Sequence, residues 1–221
     1  MAAAHSFARG DAGGSASSYI LCMNRRTALA APFVLLALAL PAQAEKLSLA
    51  TLSDYLNSLT TAESRFTQFN ADGSRAEGQI FIKRPGRVRF EYAPPDRNLV
   101  LAAGGQVAIF DGKSNQPPEQ YPLKRTPLNL ILGDKVNLGR SKMVVGHTEA
   151  GGATRVLAQD PEHPEYGTIE LVFTDSPVAL REWIITDDAG NQTRVTLDDL
   201  VRGKDYPPSL FNVTMEVDRR K

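Results

Sequence analysis

Residues 78–95 read GQIFIKRPGRVRFEYAPP; they are preceded by FTQF at residues 66–69 and followed by NLVLAAGGQVAIFDG at residues 98–112. Apolar and polar side chains alternate through most of this stretch, and the alternation breaks at Gly and Pro. A period of two residues is typical of half-buried antiparallel strands joined by tight turns. The stretch therefore predicts several adjacent strands, which form a sheet with one apolar face.

The same signals continue along the chain and predict about ten strands, separated by turns such as Asp72-Gly73. A sheet of this size is large enough to curl into a barrel or half-barrel. The strands are expected at residues 62–70, 76–83, 87–92, 98–102, 106–110, 142–147, 154–159, 167–173, 180–186 and 192–197.

An amphipathic helix is predicted before the first strand, because leucines recur there at the three-and-four spacing. Its apolar stripe contains Leu49, Leu52, Leu56 and Leu59, with Tyr55 beside them. Its other side is expected to face water and contains Ser53, Asp54, Asn57 and Ser58.

A second, almost wholly apolar helix is predicted at residues 126–133, after a polar loop at residues 114–124. Thr126 is expected to cap this helix, Pro127 to occupy its first turn and Gly133 to end it. Such a helix must lie on an apolar surface. The pattern leaves two alternatives open: the two helices cover an apolar pocket, or they complete an ordinary core.

The amino-terminal region has the layout of a secretory signal peptide. Arg25-Arg26 precedes an apolar run of about 13 residues, and Ala42-Gln43-Ala44 is a cleavage site. A membrane-spanning helix needs roughly 20 residues. We therefore expect residues 23–44 to be a signal peptide cleaved after Ala44, and residues 1–22 to be an upstream extension from a mis-chosen start. Export by the general secretory route is favoured over the twin-arginine route, because residues 27–29 fit the latter poorly.

The predicted mature chain, residues 45–221, is expected to form one domain. Removing residues 1–44 takes away three of the 25 basic residues and one of the 25 acidic ones, which leaves 22 against 24 and a net charge of −2. This balance disfavours a nucleic-acid binder. The one cysteine, Cys22, lies outside the mature chain. Four basic residues surround one turn: Lys83, Arg84, Arg87 and Arg89. Lys83 and Arg89 are expected to face water, and the cluster could also meet an anionic partner.

Motifs for chemistry are missing from the sequence. It contains no G-x-S-x-G, H-E-x-x-H or C-x-x-C, and His147 and His163 do not have metal-ligand spacing. We therefore expect no enzyme activity, no metal and no cofactor. An exported domain with a large apolar surface remains to be explained.

The order of motifs resembles the LolA family of periplasmic carriers of outer-membrane lipoproteins. The resemblance covers residues 45 to about 200, and its most specific part is the K-R-P-G block with its flanking alternation. The motifs are F-x-Q at 66–68, G-x-I-x-I-K-R-P-G-R-x-R-F-x-Y at 78–92, Pro95, L-V at 99–100, G-x-V-x-I-F-D at 105–111 and P-L-x-L-I-L at 127–132.

The resemblance implies an α+β, mainly antiparallel fold: an incomplete, unclosed β-barrel of about ten to eleven strands with a helical lid over an apolar cavity. It implies that the protein takes up the acyl chains of lipoproteins released by an inner-membrane ABC transporter. Delivery would be to an outer-membrane receptor lipoprotein or to the outer membrane itself, by a monomer. Arg84 matches the arginine that latches the lid. The cavity and lid residues are expected to be Leu52, Leu56, Leu59, Ile80, Ile82, Val88, Phe90, Tyr92, Leu128, Leu130, Ile131 and Leu132.

Two departures from the family pattern, and two rival functions, complete the sequence-based expectations. Val88 and Ala108 stand where family members often carry aromatics, which predicts a smoother or wider cavity wall. The carboxyl end after Phe211 is short. The rival functions are a lipid- or lipoprotein-sensing module of the same fold that regulates a partner, and a lipid-modifying enzyme, for which the sequence offers no catalytic group.

Overall fold

The computed structural model describes residues 45–114, 116–126 and 128–220. Helix α1, Leu49–Ser58, is the predicted first helix. Ser48 caps it, because its Oγ accepts a hydrogen bond from the Thr51 amide at 3.0 Å. Within these described ranges, no helix is both long and apolar enough to cross a membrane.

All ten predicted strands are present, and two further short strands accompany them. The strands are β1 Thr61–Phe69, β2 Arg75–Lys83, β3 Arg87–Tyr92, β4 Leu99–Ala103, β5 Gln106–Phe110, β6 Glu119–Pro122, β7 Val144–Ala150, β8 Ala153–Gln159, β9 Thr168–Asp175, β10 Val178–Thr186, β11 Gln192–Leu197 and β12 Val201–Arg202. The prediction of a loop at residues 114–124 was wrong in its second half. All four residues of β6 are exposed, so this edge strand lacks the alternation that reveals a half-buried strand.

Helix α2, Asn129–Leu132, is shorter than predicted. Thr126 does not cap it; the Thr126 hydroxyl donates to the Leu123 carbonyl instead, at 2.9 Å. Gly133 ends the helix, as predicted. The prediction for Pro127 falls outside the described residues. A third helix, α3, comprises Val213–Arg219 near the carboxyl end.

The strands form one antiparallel sheet in the order β6-β5-β4-β3-β2-β1-β11-β10-β9-β8-β7, and β12 also pairs with β1. Strands β6 and β7 are the two edges, and the described residues contain no pairing between them. The prediction of an unclosed, mainly antiparallel barrel is therefore confirmed.

One face of the sheet encloses the main core, here called the inner core. Strands from both halves of the sheet contribute to it, for example β3 through Phe90 and β10 through Trp183, whose ring centroids lie 6.0 Å apart. Residues so far apart along the sheet can meet only if the sheet curves around them. Helices α1 and α2 lie inside this curve, because their leucines belong to the same cluster.

A smaller outer core lies on the opposite face of β3, β4 and β5, beneath the carboxyl-terminal segment. Its buried members are Leu99, Leu101, Ala108, Phe110, Tyr206 and Phe211. Ala108 therefore does not line the cavity wall, and the prediction that it widens the cavity was wrong. The pairing of Leu101 with Ala108 in the sheet register places both side chains on this outer face.

Arg89 corrects the interpretation of the basic cluster. It is only 7% exposed, and its Nη1 lies 3.1 Å from Glu216 Oε2 of α3 and 3.3 Å from the Leu210 carbonyl. Lys83 is also engaged, since its Nζ donates to Asp205 at 2.9 Å and to the Tyr206 carbonyl at 2.6 Å. The carboxyl-terminal segment covers this face, so the four basic residues do not form one solvated surface.

Candidate lid and apolar interior

The twelve predicted cavity and lid residues all meet in the inner core. Tyr92 and Leu128 are half-buried and pack against it, and the other ten are buried members of it. Leu52, Leu56 and Leu59 of the α1 region are fully buried at 0% exposure. In this conformation the helices lie closed on the sheet, and their side chains fill the concave face.

Arg84 lies in the turn between β2 and β3 and reaches both helices. Its Nη1 donates to the Leu56 carbonyl in α1. Its Nη2 donates to the Gly133 carbonyl at the end of α2, at 2.5 Å, and to Asn57 Oδ1 at 3.2 Å. A guanidinium can bind several acceptors at once because its donors are held in a fixed plane.

The environment of the Arg84 guanidinium is costly for a charge. Burial lowers the pKa of Arg84, and Asp134 opposes this effect through its negative charge. No carboxylate of the described residues forms an ion pair with Arg84, and its Nε is buried without a hydrogen-bond partner. The charge is therefore desolvated and is compensated mainly by neutral carbonyl groups, which is unfavourable compared with a paired charge.

Residues 128–138, here called the α2 segment, are bound to the rest of the protein at two places. Near α2, the Gly86 amide donates to the Leu132 carbonyl at 2.8 Å, beside the Arg84 contact. Farther along, Asn57 of α1 pairs with both polar groups of the Val136 backbone, at 2.8 Å and 3.0 Å. The Leu138 amide donates to Ser53 Oγ at 3.0 Å in a buried position.

The sequence did not identify Ser53 and Asn57 as functional residues, because both are predicted on the water-facing side of α1. That prediction is wrong for Ser53, which is only 6% exposed, whereas Asn57 is exposed as predicted and still bonds to Val136. Their signal in the sequence is their spacing of four residues, which places both on one edge of the helix beside the leucine stripe. That edge faces the α2 segment.

Helix α1 itself is fixed to the sheet by Tyr55. Its hydroxyl accepts a buried hydrogen bond from the Leu180 amide at 3.0 Å. Its ring meets the edge of Phe173 at a centroid distance of 6.0 Å, and the Arg202 guanidinium lies 4.9 Å from the Tyr55 centroid. Helix α1 is thus the anchored helix of the pair.

A polar pair lies among the inward-facing side chains near the ends of β1 and β3. The Tyr92 hydroxyl donates to Gln68 Oε1 at 2.7 Å, and its ring meets the edge of Phe66 at 5.0 Å. Burial, assisted by the charge of Asp96, raises the pKa of Tyr92 to about 12. Tyr92 is therefore neutral at ordinary pH and presents a hydrogen-bonding group at one end of an otherwise apolar face.

The two histidines in the described part of the chain lie apart and contact other groups. His147 Nε2 contacts the Leu47 carbonyl at 2.9 Å, and His163 stacks on Tyr166. In the part of the chain that the structure describes, no three residues of the types His, Cys, Asp and Glu are grouped closely enough to hold a metal ion.

An unclosed antiparallel barrel, with two helices packed across its apolar concave face, defines a class of helix-covered half-barrels. The chain belongs to the LolA family: the family model "Outer membrane lipoprotein carrier protein LolA" matches residues 57–214. The resemblance inferred from the motifs is thereby confirmed.

Individual relatives agree with the family match. The outer-membrane lipoprotein carrier protein of Azotobacter vinelandii is 29% identical, and the similarity covers 70% of this chain and 78% of that protein. The protein of the same name from Chromobacterium violaceum is 28% identical over 83% of this chain and 90% of its own. Among solved structures, a LolA superfamily protein from Nitrosomonas europaea matches with a TM-score of 0.42 and 10% identity, over 75% of this chain and 98% of that one.

Proposed function

We propose that this protein is a periplasmic carrier of lipoproteins, which shields their acyl chains between the inner and outer membranes. The observation that carries the proposal is the inner core, which is apolar, concave and covered by two helices, in a chain that belongs to the LolA family. Its relatives are named as outer-membrane lipoprotein carrier proteins. A carrier binds its cargo without chemical change, so no enzyme activity is proposed.

The physical need for such a carrier is large. Each buried methylene contributes about 0.8 kcal/mol, so an acyl chain of about fifteen methylenes resists transfer into water by roughly 12 kcal/mol. The buried aliphatic side chains of α1 and α2 occupy the space that a lipid chain would take. Cargo can replace their contacts with the sheet by equivalent apolar contacts, so the polar bonds of Arg84 become the main local cost of opening.

Arg84 is proposed to latch the helices in the empty protein. Its bonds to the carbonyls of Leu56 and Gly133 support this role, because they join both helices to the turn between β2 and β3. The latch stabilises the closed state, and a closed state that competes with cargo favours release. A carrier without the latch is expected to load normally and to deliver poorly.

The remaining steps follow the family pattern. Residues 23–44 are proposed to direct export and to be removed after Ala44, and residues 1–22 to play no part in the mature protein, which is proposed to be a single-domain monomer. An inner-membrane ABC transporter would supply the lipoprotein. An outer-membrane receptor lipoprotein, or the outer membrane itself, would receive it.

The test is lipoprotein release from energised spheroplasts of the source bacterium. Purified residues 45–221 are added, and the soluble fraction is examined for lipoproteins that co-elute with the protein. Co-elution supports the carrier function. If a known carrier releases lipoproteins from the same spheroplasts and this protein releases none, the carrier proposal is wrong and the sensing function becomes the stronger candidate.

The latch is tested with Arg84→Leu in the same assay, followed by transfer to outer-membrane vesicles. We expect lipoproteins to co-elute with the variant but to pass to the vesicles at less than a tenth of the wild-type level. Arg87→Leu is the matched control: Arg87 lies directly after the same turn and is half-buried, and within the described residues its side chain donates to the Lys83 carbonyl at 3.3 Å and to neither helix. Normal delivery by Arg84→Leu would remove Arg84 from the mechanism.

A further inference from the structure

We propose that Ser53 and Asn57 form a hinge on which the α2 segment swings, so that opening breaks its contacts with Arg84 and Gly86 but keeps its contacts with α1. This inference rests on the proposed function, because it describes how the interior opens to cargo. It assigns Asn57 as the positioning residue of the lid. It also separates the two helices: α1 stays on the sheet, and α2 moves.

The hydrogen bonds along the α2 segment fall into two separate groups. The first group, at residues 132 and 133, connects to the turn that holds Arg84 and Gly86. The second group, at residues 136 and 138, connects to side chains of α1. A segment held at two places along its length can release one and rotate about the other.

The first group of hydrogen bonds is expected to break more readily than the second. Its main donor is a charged guanidinium that is partly desolvated, has no ion-pair partner among the described residues and leaves its Nε unpaired. Release of the α2 segment exposes this charge further to water and recovers part of its hydration, while its bonds to the Leu56 carbonyl and to Asn57 Oδ1 remain on α1. The charge-assisted bonds to carbonyls favour closure, but their gain is offset by this cost.

The second group consists of neutral bonds in a well-made arrangement. Asn57 donates to the carbonyl of Val136 and accepts from its amide, so one side chain satisfies both polar groups of one residue. Ser53 Oγ accepts from Leu138 in a buried position. Asn57 Oδ1 also accepts from Arg84 Nη2 at 3.2 Å, a contact that stays on α1 when the α2 segment moves. Opening at this place would lose the bonds to Val136 and Leu138 without separating a charge from its acceptors.

The two sides of the proposed hinge are themselves fixed. On one side, α1 is anchored by the buried bond between Tyr55 and the Leu180 amide. On the other side, Val136 and Leu138 are buried, at 8% and 1% exposure. Five residues after Leu138, the Met143 carbonyl accepts a hydrogen bond at 2.8 Å from the amide of Gln159, the last residue of β8. The α2 segment is also attached upstream, where the Leu123 amide donates to the Gly105 carbonyl at 2.8 Å, so α2 is expected to move between this attachment and the hinge.

Three backbone amides report the two groups separately. The amide of Gly86 donates across the first group, whereas the amides of Val136 and Leu138 donate across the second. Hydrogen exchange at these amides is measured by NMR in the empty wild-type protein, residues 45–221. The hinge predicts that Gly86 exchanges at least about tenfold faster, relative to its unstructured rate, than Val136 and Leu138, because local openings expose it alone.

The same measurement in Arg84→Leu sharpens the test. We expect exchange at Gly86 to accelerate at least about tenfold, and exchange at Val136 and Leu138 to change less than about twofold. Arg87→Leu controls for local disturbance of the turn and should leave all three amides unchanged. Equal acceleration of the three amides in Arg84→Leu would mean that the segment leaves as a whole, and it would overturn the hinge.

Substitutions at Asn57 examine the pivot itself. Asn57→Leu removes the pair with Val136 and should accelerate exchange at Val136 at least about tenfold. Asn57→Asp keeps the acceptor for the Val136 amide but loses the donor, so partial protection should return. Asp54→Asn, on the exposed side of α1, is the matched control. Unchanged Val136 exchange in folded Asn57→Leu contradicts the hinge; if that variant does not fold, the Arg84→Leu pattern decides.

The exchange measurements need no cargo, so they separate the hinge from the carrier function. If the predicted exchange pattern is found but spheroplasts release no lipoprotein, the hinge stands and the carrier proposal falls. If lipoproteins are released but the three amides accelerate together, the carrier stands and the hinge falls.

Discussion

Removing the charge of Arg89 is expected to destabilise the protein strongly, although Arg89 lies outside the inner core. The side chains of Arg89 and Glu216 are 8% and 9% exposed, and they join β3 to α3 across a 3.1 Å contact. Breaking a buried ion pair from one side typically costs about 3–5 kcal/mol, since it leaves an uncompensated charge. Arg220 still contacts Glu216 Oε1 at 3.1 Å. We therefore expect Arg89→Met to cost about 3 kcal/mol, the lower end of that range.

Urea unfolding followed by circular dichroism measures this cost. With a denaturant slope of about 2 kcal/mol per molar, a loss of about 3 kcal/mol lowers the urea midpoint by about 1.5 M. Arg75→Met is the matched control, because Arg75 pairs with Glu77 at 2.5 Å while both side chains are more than half exposed. An exposed pair contributes little, so the control should shift the midpoint by less than about 0.5 M.

The double variant Arg89→Met/Glu216→Met completes the experiment. It replaces both charges with apolar side chains, which is often neutral compared with an intact buried pair, but it also removes the contacts that Glu216 makes with Arg220 and that Arg89 makes with Glu91. We expect it to recover part of the stability lost in Arg89→Met. If Arg89→Met shifts the midpoint no more than Arg75→Met does, the pair is not energetically buried, and the explanation of the outer core given above is refuted.

Three further predictions concern stability. Tyr55→Phe leaves the buried Leu180 amide without its acceptor, so we expect a loss of about 1–3 kcal/mol in urea unfolding; no measurable loss would mean that water replaces the hydroxyl. Gly78→Ala would drive a Cβ into the Glu91 carbonyl and the Phe66 ring, so little soluble protein is expected from expression trials, whereas normal yield would show that β2 and β3 can separate. Burial raises the pKa of Glu216, but Arg220 and Arg89 outweigh it and lower the pKa below its usual value. The stabilisation is therefore complete above the unfolded pKa and is lost as pH falls through the folded pKa; the difference in urea midpoint between wild type and Glu216→Gln should shrink from pH 7 to pH 3, and a constant difference would contradict this.

The sequence was sufficient to predict those strands and the helix in which apolar residues recur at a regular spacing. All ten predicted strands are present, because half-buried strands alternate and the alternation is visible in residues such as Ile80, Ile82, Val88 and Phe90. Edge strand β6 was not predicted, because all its side chains are exposed and do not alternate. Only its backbone pairing with β5 defines it as a strand. The leucine stripe of α1 likewise identified the buried face of that helix.

The sequence did not reveal which polar side chains bind residues that lie far away along the chain. Arg89 reads as an outward charge on an alternating strand, and its partner Glu216 lies 127 positions away. Asn57 reads as a water-facing residue, and Val136 lies 79 positions away. Alternation identifies the two faces of an element, but it does not say whether a later segment will cover the second face. The proposed role of Arg84 likewise came from the family resemblance, because the pattern of the sequence does not show that Arg84 reaches both helices.

The topology of the sheet determines which strands the α2 segment connects. Strands β6 and β7 follow each other in the chain, yet they lie at the two opposite edges of the open barrel. Their connection is therefore a tether across the seam, and α2 lies within it. Because this connection has a fixed number of residues, a wider gap between the two edges would draw on the same residues that place α2 in the interior. The width of the barrel and the position of α2 are therefore expected to change together.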